Sequence, residues 1–220
     1  MVSFIVALSA GCGATVAGYA TPAEQITVTR GVPGDLTSLL PAAAQFPPAY
    51  PAVVLSPEAA AQASGDLTGV ARGASVQPVA CAPPHRDFGP DATAIAVGTD
   101  NDTRATLTVE LTRTTEPLGR LRAQLRGCGE MRVNRAGTVT TVRTELLDPT
   151  AVDADDTLAL RRAVRPDVGG VGLTQNMRTL IAQIADVRIT VTYMSFDGDE
   201  PDIEALDDLF VVAAREVREA

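Results

Sequence analysis

Met177-Arg178-Thr179-Leu180-Ile181-Ala182-Gln183-Ile184, followed by Ala185-Asp186 and then Val187-Arg188-Ile189-Thr190-Val191-Thr192-Tyr193, is the stretch whose reading decides the fold. In its second half Val187, Ile189, Val191 and Tyr193 alternate with Arg188, Thr190 and Thr192, the period of two that sends one face of a strand into a core. The apolar run before Asp186 reads as a preceding strand, with Asp186 in a tight turn between the two. Pro201 with Asp202 and Glu204 then opens a helix, on which Leu206, Leu209, Phe210, Ala213 and Val217 form one apolar stripe. Arg215 and Arg218 lie at the negative end of its dipole.

Working toward the N-terminus, the same period recurs. Ile95 and Val97, then Leu107, Val109 and Leu111, flank the polar cluster Thr99-Asp100-Asn101-Asp102-Thr103, which predicts a hairpin over Thr93 to Arg113. Pro117 opens a helix carrying Leu118, Leu121 and Leu125, and Gly127-Cys128-Gly129 stops it. A second hairpin runs from Met131-Arg132-Val133 through Asn134-Arg135-Ala136-Gly137 to Val139, Val142 and Leu146. Leu158 to Val164 suggests a strand, although Leu158, Leu160 and Ala163 have a spacing that also starts a helix. Ser56-Pro57-Glu58 predicts a helix N-terminus, with the Ala-rich turn running to Gly65, and Ala52 to Leu55 a short strand before it. Leu36, Leu39 and Leu40 have helical spacing ahead of Pro41, and Phe46-Pro47-Pro48-Ala49-Tyr50-Pro51 reads as an extended connector. The expected architecture is α+β: an antiparallel β-sheet with helices packed on one face, in a single domain over 36–220.

The sequence has 220 residues, 27 of them acidic and 18 basic, every basic one an arginine, for a net charge of −9. Such a surface repels phosphate backbones, so nucleic acid is not an expected partner. No apolar run reaches the roughly 20 residues needed to span a bilayer as a helix.

Three cysteines occur, Cys12, Cys81 and Cys128. Phe4-Ile5-Val6-Ala7-Leu8-Ser9-Ala10-Gly11-Cys12 reads as the end of a bacterial lipoprotein signal, with small residues before a thiol that becomes acylated. No basic n-region precedes it, and Ser9 stands where Leu is usual. A buried N-terminal strand with a chance cysteine is the competing reading. The expectation is a signal peptide over 1–11, lipidation at Cys12, a Gly/Ala/Thr/Pro-rich flexible tether over 12–35, and a protein anchored by lipid in the outer leaflet of the cytoplasmic membrane, outside the cytoplasm. The remaining pair, Cys81 and Cys128, is expected to form a structural disulfide. It is too widely spaced for a redox CxxC, and the one histidine cannot complete a zinc site.

Leu39-Leu40-Pro41, Phe46-Pro47-Pro48-Ala49-Tyr50, Pro78-Val79-Ala80-Cys81, Leu125-Arg126-Gly127-Cys128, and Met177 to Val187 followed by Leu209-Phe210 resemble the mycobacterial lipoproteins related to the extracellular sensor domain of the kinase PknH. The resemblance covers Leu36 to the C-terminus. It implies an envelope-facing α/β domain with a cleft and no established chemistry, with one disulfide fewer than the kinase sensor.

The constellations that could carry chemistry are sparse. His85, in Cys81-Ala82-Pro83-Pro84-His85-Arg86-Asp87, is the one possible imidazole base, and no G-x-S-x-G accompanies it. Asp153, Asp155 and Asp156 cluster, as do Asp197-Gly198-Asp199-Glu200-Pro201-Asp202, but the second group lacks Ca²⁺-loop spacing and reads as a helix entry. Gly169-Gly170-Val171-Gly172 lacks the lysine of a phosphate loop. Asn101-Asp102-Thr103 matches a glycosylation sequon and reads as a hairpin tip. Arg120, Arg122 and Arg126 on one helix suit ion pairing or an anionic partner. No catalytic residue, cofactor or metal ligand is assigned. The expected function is a non-catalytic, lipid-anchored, sensor-like module that binds an unknown envelope ligand or protein. The alternative is a carrier of lipid or apolar cargo, with a carboxylate-based hydrolase third.

Overall fold

The computed structural model describes residues 31–167, 173–196 and 201–220. The 1–11 signal, Cys12 and most of the 12–35 tether lie outside the described residues, as do Gly169-Gly170-Val171-Gly172 and Asp197 to Glu200. The described chain runs β1 (Ala52–Val54), α1 (Pro57–Thr68), β2 (Ser75–Gln77), β3 (Thr93–Thr99), β4 (Thr106–Arg113), α2 (Leu118–Gly127), β5 (Glu130–Arg135), β6 (Thr138–Leu147), β7 (Asp156–Pro166), β8 (Gln175–Ile184), β9 (Val187–Phe196) and α3 (Ile203–Arg218). Among the described residues these strands form a single nine-stranded sheet in the order β1-β3-β4-β9-β8-β7-β6-β5-β2. All its pairings are antiparallel. Both edge strands are only three residues long, which leaves little unpaired backbone for another chain to extend.

The α+β class and the antiparallel sheet are as expected. The helices, however, are shared between the two faces, and the residue parity of β8 shows how. Leu180, Ala182 and Ile184 pack with Leu206, Leu209, Phe210, Ala213 and Val217 of α3. Ile181, on the opposite parity, packs with Leu118 and Leu121 of α2 and with Leu158 and Leu160 of β7. Strand β9 is therefore covered on both sides and not half-buried: Arg188 is 7% and Thr192 2% exposed. The alternation Val-Arg-Ile-Thr-Val-Thr-Tyr separates an apolar interface from a polar one, where a simple inside/outside reading takes the polar residues for solvent-facing.

The α3 face is dry. Across the sheet, Ala96, Val109, Val191, Leu180 and Ala159 stand opposite one another in register and all are at most 1% exposed. The N-terminal segment completes this layer with Leu36, Leu39, Leu40, Phe46 and Tyr50. Leu36 to Leu40 closes three-residue bonds only (Leu39 N to Leu36 O, Leu40 N to Thr37 O) and forms a turn, not a helix, because Pro41 prevents its continuation. Gly98 is required here: a β-carbon on it would lie 2.6 Å from the Tyr50 carbonyl oxygen and 3.0 Å from Phe46 Cδ1. The chain is anchored before Leu36, since Val32 N donates to Asp186 Oδ1 at 2.7 Å, and Arg113 Nη1 reaches Asp186 Oδ2 at 2.9 Å.

The opposite face carries α2, α1 and the disulfide. Ser56 caps α1 by accepting from Ala59 N, and the helix passes Gly65 to end at Thr68. Its stop is Gly69 at φ +72°, whose N–H takes the Asp66 carbonyl while Val70 N takes that of Gly65, satisfying orphan carbonyls as a left-handed C-cap does. A side chain at Gly69 would meet Val164 Cγ2 at 2.8 Å and Val142 Cγ2 at 3.0 Å. Glycine thus supplies both the conformation and the close approach that lays the end of α1 on β6 and β7.

Candidate functional site

Period-two alternation puts an unusual set of side chains on the α2 face. One row across the sheet reads Ile95, Glu110, Thr190, Ile181 and Leu158, and the next reads Val97, Thr108, Thr192, Thr179, Leu160 and Leu146. The centre of this face is polar, its rim toward α2 apolar. Thr179 and Thr192, cross-strand partners, hydrogen-bond to each other through their hydroxyls at 3.0 Å.

Over this centre the chain leaves a cavity of about 90 Å³, walled by the end of α1, by α2, by the disulfide and by Pro83, Pro84 and Arg86 of the strap. That volume exceeds what one or two ordered waters occupy and suits a small molecule. Cys81 and Cys128 are joined, with a Cα–Cα distance of 5.6 Å, as the sequence predicts, and both line the cavity. The bridge ties the start of the Pro83–Arg86 strap to the C-cap of α2. Gln124 of α2 reinforces this by donating to the Ala80 and Ala82 carbonyls at 3.1 and 3.2 Å.

Beyond this anchor, two prolines without N–H groups cross the cavity, and the strap is then held by a side chain. Arg86 Nη1 donates to Glu110 Oε1 and lies 3.5 Å from Ser64 Oγ of α1. Glu110 is 2% exposed, and Thr112 Oγ1 donates to the same carboxylate at 3.4 Å. Arg86 also borders an open groove along α1 and a smaller hollow toward Thr93 and Thr112, so it is common to all three spaces.

Two more guanidinium groups line the cavity without a carboxylate of their own among the described residues. Arg162 of β7 donates from Nη1 to the Leu67 carbonyl at 2.7 Å and from Nε to Thr144 Oγ1 at 3.3 Å, so it satisfies a carbonyl at the negative end of α1. Burial lowers this group to about 10, and repulsion from Arg86 adds to the shift. Arg188 of β9 donates from Nε to Gln183 Oε1 at 3.2 Å and from Nη2 to the Glu116 carbonyl at 2.6 Å. Burial lowers it as well, with Arg86 acting in the same direction and Glu116 and Glu110 against it.

The residues singled out from the sequence are mostly elsewhere. His85 is on the outer side of the strap, with its side chain 90% exposed and Nδ1 3.9 Å from Asp87. Asp153 and Asp155 pair with Arg218 at 3.4 Å, Asp155 Oδ2 also accepts from Ala185 N, and Asp156 pairs with Arg122 at 2.6 Å. Arg120 pairs with Glu116 one helical turn away. Asp202 caps α3 by accepting from Ala205 N at 3.0 Å and takes the Tyr50 hydroxyl at 3.2 Å. In the hairpin tip, Asp100 accepts from Thr103 N and Asp102 N, and these bonds hold its carboxyl below the usual range. Among the described residues no three His, Cys, Asp or Glu side chains form a group that could hold a metal ion.

Glu110, Arg162, Arg188 and the threonine rows are the residues that sequence reasoning passed over. Their signal is a charge in the middle of an apolar strand, Val109-Glu110-Leu111 and Leu160-Arg161-Arg162-Ala163. Period two alone does not reveal that Glu110 and Arg188 are covered, because α2, α1 and the strap come from distant parts of the chain, and Arg162 shares the parity of Leu158 and Leu160.

No protein-family profile matches the chain, and no curated protein does. Among solved structures it is similar to an uncharacterized protein of Mycobacterium smegmatis, the ortholog of Rv0999, at 15% identity and a TM-score of 0.46, over 80% of this chain and 92% of that one. It is also similar to the extracellular domain of PknH from Mycobacterium tuberculosis, at 8% identity and a TM-score of 0.43, over 76% of this chain and 99% of that one. Among the described residues no helix is long and apolar enough to cross a membrane.

Proposed function

We propose that this chain is a sensor-like, non-catalytic domain of the cell envelope, held outside the cytoplasm by a lipid on Cys12, which binds a small molecule in the cavity beneath the Pro83–Arg86 strap. One observation carries the reading: a partly open cavity between sheet and helices, lined by apolar side chains with a few polar groups converging on it, which is the usual form of a ligand site. Its groups do not favour turnover. Both described thiols are consumed in the disulfide, the carboxylate of Glu110 is engaged by Arg86 and Thr112, and His85 faces away. Carriage of lipid is less well supported, because a pocket for a drug-sized ligand takes about 300–1,000 Å³ against about 90 Å³ here. A hydrolase using Asp197 and Asp199 predicts that alanine at both positions abolishes a detectable hydrolytic activity.

A thermal-shift screen of the full chain against small envelope metabolites, repeated with Thr192→Trp to fill the cavity, tests the binding reading. Stabilisation of the parent chain that the tryptophan removes is the expected result; no stabilisation by any compound overturns it. Anchoring is tested separately: Cys12→Ser should move the protein from the membrane fraction to the soluble one.

A further inference from the structure

We infer that the ligand of this cavity is a small organic anion, whose carboxylate or phosphate group bridges the Arg86 and Arg162 guanidinium groups while its apolar body lies on Leu160, Ile181 and Leu125. The inference rests on the cavity being a ligand site and adds the charge and polarity of what it takes. Charge is its first support. The groups lining the cavity include three arginines, Arg86, Arg162 and Arg188, and one carboxylate, Glu110, in a chain whose net charge is −9. Enclosed charge is costly unless paired, and Glu110 is already paired with Arg86.

Unused donors are the second support. Arg162 spends Nε on Thr144 and Nη1 on Leu67, leaving Nη2 without a protein acceptor among the described residues. Among the described residues Arg86 spends Nη1 alone, leaving Nε and Nη2. Both guanidinium groups lie against α1, Arg86 at Ser64 and Arg162 at Leu67, helix positions less than one turn apart. The charge of Arg86 repels that of Arg162. An oxyanion placed between them accepts from the free nitrogens in the forked geometry that arginine favours and removes the repulsion. A neutral or cationic ligand of the same shape does neither.

The experiment uses three probes of equal heavy-atom count and near-equal shape: butyrate, butyramide and butyramidine, titrated into the isotopically labelled full chain and followed by amide chemical shifts. Butyrate should shift amides around Thr179, Thr192 and Leu67 with an affinity at least tenfold above butyramide, and butyramidine should not bind. Arg162→Gln should reduce the butyrate-to-butyramide preference to about one. Should that variant not fold, Glu110→Gln, which raises the cavity's positive charge by one and keeps an acceptor for Arg86, should tighten butyrate severalfold and leave butyramide unchanged; no tightening counts against the inference. Propyl phosphate separates the head groups: tighter binding than butyrate assigns a phosphate ester, weaker binding a carboxylate. Butyramide or butyramidine binding as tightly as butyrate overturns the anion and leaves the cavity reading standing. If no probe binds while the thermal-shift screen finds a neutral ligand removed by Thr192→Trp, the anion alone fails. If that screen finds no ligand either, both readings fail.

Discussion

The two faces of this sheet are built from the same strands and differ in almost every physical respect. Under α3, Ala, Val, Leu and Ile from alternate positions of β3, β4, β9, β8 and β7, with Tyr193 of β9, pack in one layer with Leu206, Leu209 and Phe210. Beneath α2, α1 and the strap, the residues between them include threonines, one glutamate and two arginines, beside Leu160 and Ile181, around a cavity. The dry face supplies stability, since burial of apolar area is the dominant favourable term in folding. The wet face gives up part of that term to polar groups that are mostly hydrogen-bonded, with guanidinium nitrogens left over. The difference shows how a sheet can hold a polar cavity without weakening its core: the stabilising load rests on one parity of each strand and the polar groups on the other.

The sharpest way to break this division is Phe210→Ala. The ring is 1% exposed, and truncation should lower unfolding free energy by about 4–5 kcal/mol, read from the denaturant midpoint. Butyrate affinity of the folded fraction should stay within twofold. A change in the cavity amides of comparable size to that at α3 would show the two faces to be one mechanical unit.

Removing the disulfide tests the same division from the other side. Cys81→Ala with Cys128→Ala releases a constraint across 47 residues, and in the chain-entropy model should cost about 4 kcal/mol. Hydrogen exchange should rise first in the strap and at the end of α2, and last at Leu180 and Val191. Uniform exchange across both faces would contradict the comparison.

Glu110→Ala leaves Arg86 beside a buried site without its counter-ion and should cost about 3 kcal/mol. In addition, the strap should become sensitive to proteolysis near Pro84, where a merely packed carboxylate would leave it protected. The smallest effect is expected at Thr179→Val, which deletes one partner of the Thr179–Thr192 hydroxyl pair and should lower stability by about 1 kcal/mol. A loss as large as that of Phe210→Ala would mean that the wet face carries the core after all.

Much of this architecture is legible residue by residue. The hairpin over Thr93 to Arg113, the turn Asn134-Arg135-Ala136-Gly137 with positive φ at Ala136 and Gly137, the α2 stop at Gly127-Cys128-Gly129 and the α3 stripe are local statements, and local chemistry decides them. Strand β2 escaped notice because Ser75-Val76-Gln77 is too short to show a period, and it exists only through its pairing with β5. The candidate site was legible in its cysteines alone. Glu110 and Arg188 look like solvent-facing positions within amphipathic strands, and nothing near them in sequence reveals that a helix and a proline strap cover them.

The sequence by itself determined most of the elements, the parity of the strands it showed and which cysteines could meet, because hydrophobic period, caps and turn residues act over a few positions. Only the tertiary structure decided that the second partner of β4 is β9 and not β5, that the helices divide between both faces, and that Arg86, Arg162 and Glu110 converge on one cavity. Those outcomes depend on contacts between residues up to about a hundred positions apart, whose free energy is set by mutual burial and charge pairing and has no local signature.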